Sequence, residues 1–205
     1  MRYISLDFET TTATDKQPEN ALSLALVIED MELSTSLDQL PTLKILFLHK
    51  PLTFDDVAVA MNPKAFAARA LAKGHMKPEK LPVLVGQAIA EGAIKLAAEY
   101  IAVKSWVEAE VLIREFLMAN SFGNDPIVLA GKNIKSFDWL FMPTSVQALF
   151  NGEFLDPGDI YKEAGDRYKP SMAECSRRAG ISDFVSHDAA DDARQVIALI
   201  RHKMK

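Results

Sequence analysis

Two carboxylates in a short apolar segment, Asp7 and Glu9, have the types and the spacing to hold a metal ion. Apolar and polar side chains alternate from Ile4 to Phe8, which is the period of a β-strand, so both acids project from one face. Two residues of a strand advance by about 7 Å, a gap that two carboxylates can close onto one cation. Burying unpaired charge is costly, and hard cations such as Mg²⁺ or Mn²⁺ prefer carboxylate oxygens. Alone, a D-x-E pair is more often two solvated acids.

A second group of candidate residues lies near the end of the chain, where His187 precedes a helix predicted over 188–202. Asp192 shares the apolar, inward-facing stripe of this helix, whereas Asp191 groups with Asp188 on the outer face. Asp188 is also a suitable N-cap. An isolated histidine commonly has no chemical role, but a position five residues ahead of an inward acid favours a functional interpretation of His187.

Asp138 is the third candidate. It follows an apolar run at 127–130, predicted as a central strand, and it opens an apolar helix predicted over 137–149. An acid at the start of a helix can simply cap it, so the position alone leaves a structural role open. Asn133 can fix the turn before Asp138 through bonds from its side chain to the backbone.

The elements that must position these residues follow from hydrophobic periodicity. Three early strands with turn signals between them predict an antiparallel meander: 3–9, 21–28 and 43–49. A 3.6-residue period predicts six helices: 62–73, 83–102, 106–120, 137–149, 169–179 and 188–202. Strands that come first, followed by helices around at least one later strand, predict a mixed α/β sheet with helices on its faces.

Length and composition bound the class of protein. The chain has 205 residues, of which 49% are hydrophobic, and this favours one domain with a sizeable core. Its single cysteine, Cys175, excludes an internal disulfide and a multi-thiolate metal site. No stretch approaches the roughly 18 consecutive apolar residues of a membrane-spanning helix, and the first residues lack the apolar core of a signal peptide. We therefore expect a cytoplasmic protein with no membrane attachment.

Charge is unevenly distributed along the chain. The net charge of −5 argues against indiscriminate duplex binding through a broad basic face. The stretch 61–105 is nevertheless basic, with seven cationic side chains against three acidic ones. The cationic residues are Lys64, Arg69, Lys73, Lys77, Lys80, Lys95 and Lys104. Such a segment suits an enzyme that grips a short single strand, although a solvated helix face is the commoner explanation on charge alone.

Taken in order, the three segments resemble the three motifs of the DEDDh (DnaQ-like) 3′→5′ exonucleases. The first motif is matched by D-F-E-T-T from Asp7, and the second by Asn133 through Asp138. The third, H-x-A-x-x-D followed by alanine, begins at His187 and contains Asp192. The resemblance implies a ribonuclease H-like fold over most of the chain: a mixed sheet, in which parallel strands join the antiparallel meander, flanked by helices. Residues 1–205 would form a single exonuclease domain.

The chain departs from the family pattern at two points. Lys132 stands where the second motif commonly has a histidine. The separation between Glu9 and Asp138 is longer than in a minimal member of the family. We therefore expect a helical insertion at about 53–105, and the substrate class stays open.

The resemblance and the chemistry of the residues together imply a metal-dependent 3′→5′ exonuclease. It would hydrolyse phosphodiester bonds at the 3′ end of single-stranded DNA or RNA and release nucleoside 5′-monophosphates. His187 is expected to act as general base, since imidazole exchanges protons near neutral pH. Two divalent cations, Mg²⁺ or Mn²⁺, are expected at four acids: Asp7, Glu9, Asp138 and Asp192. Whether the protein forms a homodimer stays open.

Two other functions stay open from the sequence. One is an inactive nucleic-acid-binding module of the same fold, and the other is a metallo-phosphohydrolase that acts on nucleotides. A zinc hydrolase is disfavoured because the four histidines show no H-x-x-x-H spacing. Dinucleotide and P-loop enzymes are disfavoured because the chain lacks G-x-G-x-x-G and G-K-[ST].

Overall fold

The structure is a computed structural model that describes residues 1–49, 54–122, 127–182 and 187–204. Six strands lie within these ranges: β1 Arg2–Thr10, β2 Ala21–Asp30, β3 Thr42–Phe47, β4 Ile101–Val103, β5 Leu129–Ala130 and β6 Phe154–Leu155. Nine α-helices lie within them: α1 Asp56–Met61, α2 Pro63–Ala72, α3 Leu81–Val85, α4 Gln87–Glu99, α5 Trp106–Ala119, α6 Thr144–Gln147, α7 Pro157–Ile160, α8 Met172–Ala179 and α9 Ala189–Met204. None of these helices combines the length and the apolar composition needed to cross a bilayer.

The six strands form one mixed sheet in the order β4-β3-β2-β1-β5-β6. β1 pairs antiparallel with β2, with Leu6 opposite Leu26, and β2 pairs antiparallel with β3. β4 runs parallel to β3, β5 runs parallel to β1, and β6 runs parallel to β5. The predicted combination of an antiparallel meander with parallel strands is confirmed.

Helices cover both faces of the sheet because successive side chains of a strand point to opposite sides. On one face, Leu6 of β1 belongs to a core cluster with Ile113 of α5. On the other face, Tyr3 packs with Ile197 of α9. Next to α9, on the β2 and β3 side, Leu46 packs with the alanine-rich helices α2 and α4. The segment between β3 and β4 therefore lies against the sheet beside α9.

Two of the predicted helices are wrong as single elements. The helix predicted over 83–102 is interrupted at Gly86, whose φ is +78°, and its end forms β4 at the sheet edge. The helix predicted over 137–149 consists of a 3₁₀ turn at Asp138–Phe141 and the short α6. Pro143 separates the two parts, because proline lacks an N–H and holds the preceding Met142 in an extended conformation.

Three short elements carry too little periodicity to be predicted. These are α1, α7 and β6, with six, four and two residues. The segment from α1 to α4 is mostly helical, as expected for the predicted insertion at about 53–105, although residue 53 lies outside the described residues. That this segment is an insertion into the fold stays a prediction.

The C-terminal part of α9 is fixed to the sheet by a buried ion pair. The carboxylate of Glu29 on β2, which is fully buried, accepts bonds of 2.9 and 2.6 Å from the guanidinium of Arg201. A bidentate ion pair of this kind sets the orientation of the helix as well as its position. It therefore holds α9 in the register that places its first turn near the end of β1.

Candidate active site

The two acids of β1 lie on the sheet face that α9 covers. Asp7 stands opposite Ala25 of β2, and Ala25 packs with Ala189 and Ala190 at the start of α9. Side chains this small let the backbone of α9 approach the strands closely. The first turn of the helix therefore lies beside Asp7 and Glu9.

That first turn brings two further predicted residues to Glu9. One ligand atom each from Glu9, His187 and Asp192 lie within 4.8 Å of one another. Asp188 caps the helix as predicted, since its Oδ1 accepts from the N–H of Ala190 at 3.1 Å. His187 precedes the cap with a φ of +49°, in the left-handed region that costs a residue with a Cβ about 1–2 kcal/mol. The packing of the cap and the helix holds this residue in a conformation that it would not adopt alone.

Asp138 comes from the segment after β5, which pairs with β1 along the edge opposite to β2. The chain leaves β5 through Gly131, where an added Cβ would lie 2.8 Å from the carbonyl oxygen of Leu6, so only glycine fits. Seven residues later Oδ1 of Asp138 accepts from the N–H of Phe8 at 3.2 Å. Asp138 is 2% exposed. Its carboxylate therefore bonds to the central strand, between the positions of Asp7 and Glu9, and the capping role left open by the sequence is not the one it plays.

The turn before Asp138 is fixed by the backbone of Asn133. Asn133 has a φ of +57°, and its carbonyl oxygen accepts from the N–H of Phe137 at 2.9 Å. Its own N–H donates to Oδ2 of the buried Asp156 at 3.2 Å. Its side-chain oxygen accepts from Nζ of the adjacent Lys132, the residue that departs from the family pattern, at 2.7 Å.

Burial and mutual repulsion raise the pKa values of the acids. Burial, followed by the charges of Asp138 and Glu9, raises the pKa of Asp7 well above its ordinary value. Burial and then Asp192 do the same to the pKa of Glu9. Burial raises the pKa of Asp138 to about 7. Without a counter-ion, this set of carboxylates cannot all be ionised at neutral pH at low cost.

The arrangement brings together all five residues predicted from the sequence. Glu9, His187 and Asp192 share the 4.8 Å group, while Asp7 and Asp138 adjoin it as electrostatic neighbours of Glu9. The carboxylate oxygens of the four acids are the donors that a hard divalent cation such as Mg²⁺ or Mn²⁺ prefers, and the imidazole of His187 adjoins them. A bound cation would also offset the repulsion among the acids. The residues present therefore fit a metal centre.

Three residues of the site were not predicted. The outward position predicted for Asp191 holds, with a side chain 56% exposed, but it is wrong for Asp188, whose charge raises the pKa values of Asp7 and Glu9. Oη of the buried Tyr100 donates to Oδ1 of Asp188 at 3.2 Å. Lys64 acts in the opposite sense to the acids, since its charge lowers the pKa of Glu9.

The sequence contains only an indirect signal for two of these residues. Lys64 is the first cation of the basic stretch 61–105, and Tyr100 follows α4 within that stretch. Neither position has a motif around it. Only the packing of α2 against α4, with both beside the start of α9, brings this segment to the acids of β1.

The fold is shared with solved nuclease structures. Cell-death related nuclease 4 (CRN-4) superimposes with a TM-score of 0.58 at 12% identity, over 99% of this chain and 63% of that one. E. coli exonuclease I in complex with a dA13 oligonucleotide gives a TM-score of 0.52 at 13% identity, over 98% and 40%. The RNase domain of the yeast Pop2 protein gives a TM-score of 0.50 at 13% identity, over 98% and 75%.

These likenesses concern the fold. No protein-family profile and no curated protein matches the chain. The chain spans less than two thirds of the length of CRN-4 and of exonuclease I. The predicted ribonuclease H-like fold, and the resemblance to DEDDh exonucleases on which it was based, are confirmed at the level of architecture: this chain folds as nucleases of that type do.

Proposed function

We propose that the protein is a metal-dependent 3′→5′ exonuclease that removes nucleoside 5′-monophosphates from single-stranded DNA or RNA. The observation that carries this proposal is the convergence of Glu9, His187 and Asp192 within 4.8 Å, with Asp7 and Asp138 adjoining. These residues come from β1, from the turn after β5 and from the start of α9. A set of acids drawn together from three separate segments, two of them buried and two partly buried, is costly to the fold, and metal binding would offset that cost.

In this proposal the four acids hold the metal ions and the histidine moves a proton. Divalent cations would supply stabilisation of the negative charge that develops on the phosphate. Asp7 and Glu9 offer their carboxylates from one strand face, and Asp138 and Asp192 offer theirs from either side of it. His187 takes a proton from the attacking water, as imidazole is suited to do near neutral pH. Its left-handed backbone fixes where the ring can reach.

The polarity and the substrate are proposed from the resemblance in sequence and from the neighbouring structures. Exonuclease I is seen in complex with dT13 and with dA13 oligonucleotides, which are single strands. We transfer the same substrate class to this chain, with its 3′ end at the metal centre. A cytoplasmic location stays a prediction, and whether the protein forms a homodimer stays open.

The direct test uses single-stranded DNA and RNA labelled at one end. With Mg²⁺ or Mn²⁺, a 3′ label is expected to leave at once as a mononucleotide, while a 5′ label is retained on a ladder of shortening products. EDTA is expected to abolish both signals. Glu9→Gln should remove the activity, and Asp191→Asn is the matched control, because Asp191 lies on the same first turn of α9 as the site residues but is exposed to solvent.

Several outcomes would contradict the proposal. Early release of the 5′ label would reverse the polarity, and internal fragments would indicate an endonuclease. Activity that persists in EDTA would remove the metal centre from the mechanism. Hydrolysis of nucleoside triphosphates with intact oligonucleotides would assign the site to a nucleotide phosphohydrolase, and binding of oligonucleotides without cleavage would identify an inactive module.

A further inference from the structure

The helices between β3 and β4 place Lys64 at the edge of the candidate metal centre. Lys64 is the second residue of α2, directly after Pro63, where the helix begins. Its side chain and that of Asp188 line one small cavity of about 110 Å³, together with Glu99 of α4. Asp188 is the cap of α9 and follows His187. A cation from a remote segment therefore adjoins the turn that carries the proposed base.

The position of the Lys64 side chain is set by Gly92 on the neighbouring helix α4. A Cβ added at Gly92 would lie 3.0 Å from Cδ of Lys64 and 3.4 Å from both Cγ and Cε. Gly92 lies within α4, where glycine is otherwise unfavourable because it adds conformational freedom to the unfolded chain. The missing side chain makes the groove in which the stem of the lysine lies. The two helices approach closely through buried alanines, among them Ala65 and Ala93.

We propose that Lys64 binds a backbone phosphate of the nucleic acid whose 3′ end occupies the metal centre. This inference rests on the proposed function and names a residue of the substrate-binding surface that the three motifs do not contain. Once divalent cations occupy the acids, the attraction between Glu9 and the lysine is weakened. Lys64 lies beside Asp188 at the rim of the site, where a bound strand would present one phosphate per nucleotide. A lysine acts as a point charge for such a group, with its stem held by Gly92.

The contact is tested by measuring the Kd of a fluorescent dT oligonucleotide from its anisotropy, with Ca²⁺, a cation that also takes oxygen ligands, present in the buffer. In parallel, the wild-type protein is assayed for cleavage of the oligonucleotide with Mg²⁺. Lys64→Gln is expected to raise the Kd about tenfold, the loss typical of one charge-assisted hydrogen bond. The dependence of log Kd on log salt is expected to become shallower by about 0.7, the contribution of one phosphate on a single strand. Lys80→Gln is the matched control, because Lys80 is an exposed lysine of the same segment outside this cavity.

A second variant moves the lysine without removing it. Gly92→Leu fills the groove, so it is expected to raise the Kd as Lys64→Gln does, while the thermal stability of the protein stays near wild type or increases. If both variants bind the oligonucleotide with the affinity and the salt dependence of the wild type, the proposal is wrong. A change of their stability in EDTA would not alter that conclusion, because a lysine with a purely structural role would change stability and leave binding intact. A protein that neither cleaves nor binds the oligonucleotide in its wild-type form would instead refute the proposed function, and the inference with it.

Discussion

The N–H of Phe8 donates to Oδ1 of Asp138 across 3.2 Å, joining two residues that are 130 positions apart in the chain. This bond ties the turn after β5 to the middle of β1. Because Phe8 lies between Asp7 and Glu9, the bond also sets the third acid relative to the first two. The position of Asp138 in the candidate centre is therefore tied to a backbone donor of the central strand.

The first prediction concerns the stability of the metal-free protein against pH. The pKa of Asp138 is raised from 3.8 to about 7, so the folded state prefers the protonated carboxyl. As the pH rises from about 4 to about 7, the unfolded chain ionises first and the folded state loses stability, by up to on the order of 4 kcal/mol from this residue. Burial and repulsion act in the same direction on the pKa values of Asp7 and Glu9.

Asp138→Asn isolates this effect. In EDTA at pH 8, urea denaturation is expected to show the variant to be more stable than wild type, whereas at pH 4 the two should nearly coincide. Adding Mn²⁺ at pH 8 should stabilise wild type more than the variant. Equal stability of the two proteins at pH 8 in EDTA would show that Asp138 is not held in a charge-disfavouring environment.

The second prediction separates two neighbouring acids of α9. Asp192→Asn is expected to weaken Mn²⁺ binding at least roughly tenfold, about 1.4 kcal/mol, because its carboxylate faces Glu9 and His187. Asp191→Asn should leave the affinity unchanged, since its side chain is exposed and pairs with Arg194 at 3.3 Å. Calorimetric titration with Mn²⁺ measures both. Equal losses in the two variants would mean that long-range charge, and not coordination, governs binding.

The third prediction concerns the role of His187. Its replacement by glutamine is expected to lower turnover by about 10²–10⁴-fold, the usual contribution of a general base, while Mn²⁺ affinity stays near wild type. Single-turnover cleavage and metal titration on the same preparation give the two quantities. A parallel loss of metal affinity would make the imidazole a ligand, which its distance to Glu9 and Asp192 would allow.

The fourth prediction compares two buried tyrosines that bond to opposite ends of the C-terminal helix. Tyr100 donates to Asp188 at the start of α9, and Tyr161 donates to the carbonyl of Leu199 near its end at 3.0 Å. Each change to phenylalanine is expected to cost about 1 kcal/mol of stability. Only Tyr100→Phe should also lower turnover several-fold, because Asp188 positions the turn that holds His187. Equal turnover in the two variants would exclude that positioning role.

The sequence by itself determined the parts of this protein that local periodicity encodes. The alternation along β1 placed Asp7 and Glu9 on one face, and the stripe of α9 placed Asp192 inward. The motifs then identified Asp138 and His187 by resemblance. Each of these inferences needs only a window of a few residues, because a strand or a helix fixes the direction of its side chains by its own geometry.

Only the tertiary structure decided which other groups meet the acids. Asp188 turned toward the site, Tyr100 bonded to it, and Lys64 reached it through a groove at Gly92. These contacts depend on the order of strands in the sheet and on how closely α2 and α4 pack beside α9. Such relations join segments that are distant along the chain, and no local pattern of side chains records them.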